Sequence, residues 1–397
     1  MIENKPYIDK IIQISFSYLE KVFTKDVFST FLKDLEFLKS INDRQEVISK
    51  FTEIYCNYAK RNFQDKYCAV SKELMDFIVK QDDGVKIIWG DCLDVLKKID
   101  SESIHLMVTS PPYYNARDYS QWSDLNEYLE NMRLIIKESY RVLDNHRVFV
   151  FNVGDIFDND NLTTKSTWGK RRIPLGAYFI KIFEEEGFTF VDDFIWDKGE
   201  VQSERHKNGD KPYPFYQYPM NCYEHILIFH KHRIDELRYP CPVCGTLKVN
   251  GNAYSEIGLK SWECRNLECF ERSKSNRGKR FSLKTIMTQS RQKKQFEISK
   301  DFIKKWRKDI VKINPVIKIN SKGKNILGHS APFPYAIPEF AISMFSYEGD
   351  IVLDPFAGSF TSIIVAKTLK RVGLGIELNK DMFRESALEN IKKILIE

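Results

Sequence analysis

Residues 350–362 read DIVLDPFAGSFTS. An apolar run ends on Asp354, small residues make a turn, and the helix-like TSIIVAKTLK follows. Doubly wound α/β folds bind nucleotide-like ligands in this way, because small residues let the backbone approach a ligand at the carboxyl end of a strand. The turn is not a G-x-G-x-x-G fingerprint and lacks the Lys-Ser/Thr pair of a P-loop, which disfavours a pyrophosphate site. The next strand-like run, GLGIELN, ends at Glu377, where a carboxylate is placed to accept hydrogen bonds from ribose hydroxyls. Taken alone, the same residues also suit a plain strand-to-helix turn with a capping aspartate.

Working outward, short runs rich in β-branched and aromatic residues alternate with helix-like stretches. VKIIWGD, IHLMVTS, HRVFVFNVGD, FTFVDDFIWD and CYEHILIFHK read as strands. DCLDVLKKI, LNEYLENMRLIIKESYRVL and IPLGAYFIKIFEEEG read as the helices between them. That alternation predicts a doubly wound, mostly parallel sheet covered by helices on both faces. Two stretches depart from it. Residues 1–80 place apolar residues three and four apart and read as a helical extension. Residues 238–325 carry four cysteines and few long apolar runs, and read as an insertion between the two halves of one α/β domain, 81–237 and 326–397.

One strand ends oddly. Residues 108–119 read VTSPPYYNARDY, so an apolar run stops on a hydroxyl, two prolines and two tyrosines. Proline offers no N–H and holds the preceding residue extended, so the pair builds a stiff corner. A bare Pro-Pro corner is an ordinary loop. The rest of the chain gives this one its meaning.

The bulk composition, 397 residues with 43% hydrophobic and 29% charged, is that of a globular protein with an ample core. No apolar run is long enough for a membrane span and no secretory signal opens the chain, so the expected location is the cytoplasm. The net charge of +6 is uneven: residues 271–324 hold eighteen Lys and Arg against four acidic residues, and the remainder is net acidic. Such a segment suits a polyanion, and also suits a solvated basic face. Among the eight cysteines, Cys241 and Cys244 form C-x2-C, and Cys264 and Cys269 form C-x4-C. Two such pairs fit a structural, four-thiolate zinc site, with metal-free packed thiols as the other reading.

The motifs DPFAGS and GIEL, with TSPPY far ahead of them, resemble those of the DNA amino-methyltransferases that modify exocyclic nitrogens, in the permuted (beta-type) order with the catalytic motif first. GDCLDVL, WDKG, YEHILIF and HSAPFP fit the same family, over roughly residues 85–235 and 325–395. One departure is Phe360, where many relatives carry glycine; a bulky residue there is expected to narrow the pocket or shift the turn. The resemblance implies a class I methyltransferase fold that binds S-adenosylmethionine. It assigns Asp354, Phe356, Ala357, Gly358 and Ser359 to the methionine side, Glu377 to the ribose and Asp91 to the adenine. Phe333 and Pro334 would close over the cofactor. Residues 326–397 become the cofactor-binding half, and 238–325 the target-recognition region.

The implied catalytic motif is Ser110, Pro111, Pro112 and Tyr113. An exocyclic amino group is a poor nucleophile because its lone pair is delocalised into the ring. Acceptors that grip its hydrogens orient that lone pair for attack. Ser110 Oγ and the Pro111 carbonyl can serve, and Tyr113 can stack on a base flipped out of the duplex. No covalent nucleophile is needed, so Cys92 and Cys222 take no part. Ser in the first motif position favours N4 of cytosine, with N6 of adenine as the alternative. The expected partners are double-stranded DNA and a cognate restriction endonuclease. Arg277, Arg280 and Arg291 are candidate base or phosphate contacts, and Phe281, Phe302 and Trp306 candidate stacking rings. A zinc-containing nucleic-acid-binding protein with a vestigial methyltransferase fold and an RNA methyltransferase are the other readings.

Overall fold

The computed structural model describes residues 6–64, 71–80, 82–114, 122–157, 172–199, 221–256, 258–274, 277–286, 298–314, 316, 334–385 and 388. Its strands are β1 (Val85–Trp89), β2 (Ile104–Thr109), β3 (Leu143–Val153), β4 (Ile156–Phe157), β5 (Arg172–Ile173), β6 (Phe188–Asp197), β7 (Tyr223–Lys231), β8 (Val249–Tyr254), β9 (Lys260–Cys264), β10 (Arg280–Phe281), β11 (Ile310–Lys312), β12 (Ile351–Asp354) and β13 (Val372–Glu377). They belong to two compact units, one of residues Met1–Cys68 with His232–Gln295, the other of Ala69–Lys231 with Phe296–Glu397.

The larger unit holds an eight-stranded sheet in the order β1-β13-β12-β2-β3-β7-β6-β11. All neighbours are parallel except β7, which runs antiparallel to both β3 and β6. The strands read from the alternating segments are all present; the reversed direction of β7 and the edge strand β11 are the additions. The sheet's centre is apolar on both faces, as buried parallel strands require: Leu106, Met107, Val108, Val352, Leu353 and Leu374 are fully buried. The helices Leu125–Val142 and Leu175–Glu185 are amphipathic, and residues such as Met132, Ile136, Phe179 and Phe183 join one core cluster. The helix Ala336–Phe345 covers the other face through Ile337, Phe340 and Ala341. Strand β2 leads onward to β3, whereas its other neighbour β12 leads away to β13, so the strand order reverses between β2 and β12, which themselves run parallel. Parallel strands put both carboxyl ends at one sheet edge, and such a reversal opens a crevice there.

The smaller unit differs from the segments read in the sequence. Residues 1–80 are not a separate extension: the helices Tyr7–Val22, Lys25–Leu35 and Arg44–Gln64 share one core with the cysteine-bearing segment. Ile8, Ile11, Phe31 and Phe51 pack in the same cluster as Leu247, Val249, Trp262 and Phe281. Buried polar groups tie the two parts, with the Tyr7 hydroxyl donating to the Cys244 carbonyl at 2.8 Å and Leu247 N–H donating to Ser15 Oγ at 3.0 Å. The helix Lys72–Val79 belongs to the larger unit, where Met75 and Ile78 are core. The inserted segment ends sooner than the sequence suggested, since residues from Phe296 onward belong to the larger unit. β11 then serves as that sheet's edge strand. Among the described residues no helix is long and apolar enough to cross a membrane.

Gly278 sits where backbone closes on backbone in the small sheet β10-β9-β8. A Cβ there would lie 1.8 Å from the Cys264 carbonyl oxygen, far inside contact distance. Gly278→Ala is therefore expected to lower stability by at least about 2 kcal/mol, as overpacking against rigid backbone does. Denaturant unfolding of the two proteins checks this, and an unchanged midpoint would contradict the close approach.

Candidate active site and cysteine cluster

Asp354 is 2% exposed and ends β12 beside the end of β2. Its Oδ1 accepts from Thr109 Oγ1 at 2.5 Å, linking the two strand ends across the switch point, and from Phe356 N–H at 3.0 Å. Its Oδ2 accepts from Ser362, in the first turn of the helix Thr361–Thr368. One carboxylate thus fixes two strands, the loop and the helix. Burial raises its pKa to about 6, even though the bonds from Ser362, Thr109 and Phe356 oppose the rise.

The loop is closed from β13. Glu377 Oε2 accepts from Gly358 N–H at 2.9 Å, Oε1 from Asn379 N–H at 2.8 Å, and Ala357 N–H donates to the Ile376 carbonyl at 2.9 Å. Gly90 N–H donates to the Glu377 carbonyl, which brings the end of β1 and Asp91 alongside. Asp91 is exposed and caps the helix Cys92–Leu96, accepting from Leu93 and Asp94. Ser359 Oγ lies 3.2 Å from Thr361 Oγ1, and Phe356 packs on the main core. Asp354, Phe356, Ala357, Gly358, Ser359, Glu377 and Asp91 therefore gather at the carboxyl ends of β12, β13 and β1. Pro334 is buried and starts the turn into the helix Ala336–Phe345; Phe333 lies outside the described residues.

Phe360 does not crowd the open side of the loop. Its ring is fully buried beneath β1, 5.4 Å from Trp89 in an edge contact and packed with Val85, Ile87 and Ile363. The strain falls on its backbone, which takes the left-handed conformation (φ 62°) that a glycine adopts more easily. Burial of the ring offsets that strain.

At the end of β2, Ser110 is half-buried, Pro111 buried, and Tyr114 anchored in the core. Tyr128 donates its hydroxyl to the Pro112 carbonyl at 2.9 Å. The Tyr113 hydroxyl donates to Glu224 Oε2 at 2.9 Å and accepts from Gly154 N–H at 2.9 Å. Burial first, then the Glu224 carboxylate, push this phenol well above its ordinary pKa. The sequence reading missed Thr109, Ser362, Glu224 and its ion-pair partner Lys198. The signal was present in WDKG and YEH, which place charged residues at strand ends. Cys92 is an inert thiol, pushed up to about 12 by burial.

In the smaller unit, the sulfurs of Cys241, Cys244, Cys264 and Cys269 all lie within 4.8 Å of one another, and all four residues are buried. Cys244 Sγ and Cys264 Sγ are 3.7 Å apart, far from a disulfide length. A tetrahedral ion with metal–sulfur bonds of about 2.3 Å needs sulfur–sulfur edges of roughly 3.8 Å. Arg277 and Arg280 are exposed beside this cluster, with Arg280 Nε 3.8 Å from Glu263; Arg291 lies outside the described residues. Two of the expected stacking rings are instead core: Phe281 is 3% exposed, and Trp306 stacks on Phe340 at 4.1 Å. Phe302 packs partly buried against the same cluster as Trp306.

A parallel sheet with one reversed strand, carrying a small-residue loop and a proline corner at its switch point, defines a class I methyltransferase-like α/β protein. The model of the DNA methylase family, N6 and N4 methyltransferases, matches residues 104–388, and the chain belongs to that family. It is similar to the Type II beta methyltransferase M.BslI of Bacillus sp. (strain NEB-606), 38% identical over 375 residues. That match covers 94% of this chain but 34% of M.BslI, so the chain spans about a third of that relative's length. The Type II methyltransferase M.MjaI of Methanocaldococcus jannaschii is 26% identical over 75% of this chain and 88% of its own. Among solved structures, the putative DNA modification methylase TTHA0409 of Thermus thermophilus, complexed with S-adenosyl-L-methionine, is 23% identical with a TM-score of 0.48, covering 78% of this chain and 95% of that one.

The raised pKa of Asp354 has a signed consequence. The folded protein holds this proton more tightly than the unfolded chain, whose carboxyl has the ordinary value of 3.8. The group therefore favours folding most below about pH 4, and that contribution is lost as pH rises through about 6. Asp354→Asn removes the titration. The melting temperature of wild type minus that of the variant is expected to be larger at pH 4 than at pH 7, and thermal melts across that range check the sign.

Proposed function

We propose that the protein is an S-adenosylmethionine-dependent DNA methyltransferase that modifies the exocyclic N4 of cytosine in duplex DNA. The observation that carries this reading is the Thr109–Asp354 bond, which joins the Ser110 corner to the Asp354 loop. A base amino group held at Ser110 and the Pro111 carbonyl then faces a ligand held by the loop. S-adenosylmethionine supplies an electrophilic methyl group on a sulfonium. Gly358 and Ser359 leave room for the ligand's backbone-facing side, while Glu377 and Asp91 present carboxylates where hydroxyl and amino groups need acceptors. Ser110 Oγ and the Pro111 carbonyl grip the two amino hydrogens and direct the nitrogen lone pair, and the aromatic face of Tyr113 holds the base.

Serine rather than aspartate at position 110 favours cytosine, and adenine N6 is the competing outcome of the same test. The permuted motif order agrees with the beta class that M.BslI's name gives to that protein. Its Type II designation supports a role in the cytoplasm beside a cognate restriction endonuclease. The cysteine cluster holds one structural zinc, since four protein thiolates fill a tetrahedral shell and leave no position for catalysis. Arg277 and Arg280 in the smaller unit contact DNA, and exposed Lys304, Lys305, Arg307 and Lys308 in the larger unit add phosphate contacts.

Incubation with labelled S-adenosylmethionine and duplex DNA, followed by nucleoside analysis, is expected to yield N4-methylcytosine. N6-methyladenine would reassign the base, and label on RNA alone would overturn the DNA reading. Ser110→Ala is expected to lower methyl transfer by about a hundredfold or more while cofactor affinity stays near wild type.

Elemental analysis of the purified protein is expected to find one zinc per chain. Cys264→Ser should lose the metal and melt at a lower temperature, because metal binding is coupled to folding. A metal-free wild type would leave the four residues as packed thiols.

A further inference from the structure

Glu224 is a buried acid with no part in the reaction described so far. It is 8% exposed on β7, with Oε1 paired to Lys198 Nζ and Oε2 accepting from the Tyr113 phenol. The phenol oxygen accepts in turn from Gly154 N–H. The phenol donates onward to Glu224, and Ser110 lies three residues before it on the same corner. The site leaves room for this arrangement, since a Cβ on Gly154 would lie 2.9 Å from Glu224 Cγ. His225, the next residue, is engaged elsewhere, bonded to Asp193 at 2.8 Å and 3.8 Å from Asp155.

A ring needed only for stacking requires no hydroxyl, and a buried ion pair is a weak source of stability. Methyl transfer, however, leaves a proton to be disposed of in a water-poor site. We propose that Ser110, Tyr113 and Glu224 form a proton relay from the target amino group, with Lys198 offsetting the charge on Glu224 before transfer. The proposal rests on the methyltransferase reading above. As the amino nitrogen bonds to the methyl carbon, the carbon–sulfur bond breaks and its electron pair stays on sulfur. The nitrogen gives a proton to Ser110 Oγ, Ser110 gives its own to the Tyr113 oxygen, and the phenol proton passes to Glu224 Oε2. Release to water from Glu224 resets the chain. Glu224 and Lys198 are thus positioning residues that act through Tyr113.

The test uses the full chain, labelled S-adenosylmethionine and genomic DNA amplified in vitro so that it carries no methylation. Single-turnover rates are measured for wild type, Glu224→Gln, Tyr113→Phe and the double variant, with cofactor and DNA dissociation constants alongside. A glutamine oxygen still accepts the phenol hydrogen bond, so a purely structural clamp would survive that change. The relay predicts that each single change slows transfer about a hundredfold, with dissociation constants within about threefold of wild type. The double variant is expected to be no slower than the slower single, because the residues act as a unit. An E224Q protein within about threefold of the wild-type rate, or single effects that multiply in the double variant, overturns the relay. Should E224Q fail to fold, a Y113F rate within about threefold of wild type does the same. An active wild type with unaffected variants sinks the relay alone, whereas a wild type that labels no DNA removes the reading beneath it.

Discussion

Asp354 ends β12 with its carboxylate shared among Thr109 from the neighbouring strand, Ser362 from the following helix and the amide of Phe356. Carboxylates are seldom buried without such partners, because desolvation favours the neutral form. Here the group is 2% exposed and its pKa is displaced upward by burial. The three contacts fix the distance between the two strand ends, the turn of the small-residue loop and the start of the helix. Everything at the sheet edge inherits its position from them. On the other side of the loop, Glu377 repeats the arrangement, holding Gly358 and Asn379 through backbone amides. The two acids act first as struts. What they offer a ligand is what remains after those bonds are made.

Much of this was legible in the sequence, for identifiable reasons. Central parallel strands are apolar throughout, so IHLMV, IVL and GLGI stood out, and the turns that follow them carry distinctive small residues and prolines. The strand neighbours β2 and β12 lie far apart in the chain, and only the resemblance to a family that carries both motifs, not any local signal, tied them to one site. The reversed β7 was less visible, because YEHILIF has the composition of any buried strand and direction leaves no mark on composition. Thr109 and Ser362 were overlooked since a hydroxyl beside a motif looks like any loop residue until its acceptor is seen. Phe360 was noticed, but the face its ring takes was not. A side chain's volume is read from sequence, whereas the face it turns to is not, and this ring turns inward onto Trp89.

The smaller unit shows the opposite balance. The cysteine spacing identified four residues whose sulfurs do converge. The partner of that cluster was invisible, because helices at 7–64 and strands at 249–281 share a core with no local signal of pairing. Amphipathic helices announce that one face is buried and are silent on what buries it. Small modules with little core of their own gain stability from such a cover. The aromatic residues of the basic tract obey the same logic. Phe281 and Trp306 look like stacking platforms when read beside lysines, but large apolar rings stabilise a fold most from inside it, and both are buried.

The corner at Ser110 joins these arguments. Two prolines stiffen it from within, Tyr128 holds the Pro112 carbonyl from behind, and Glu224 with Gly154 holds the phenol of Tyr113 from the side. A loop pinned at so many points has little freedom left to lose on binding, and that preorganisation is what an oriented lone pair demands. The polar pins are also unfavourable to bury, since Lys198 and Glu224 are drawn out of water to make them. A hydrophobic neighbour could have steadied the ring without that desolvation. The choice of an ion pair behind the phenol is therefore better explained by what the phenol can pass to it than by the rigidity it lends.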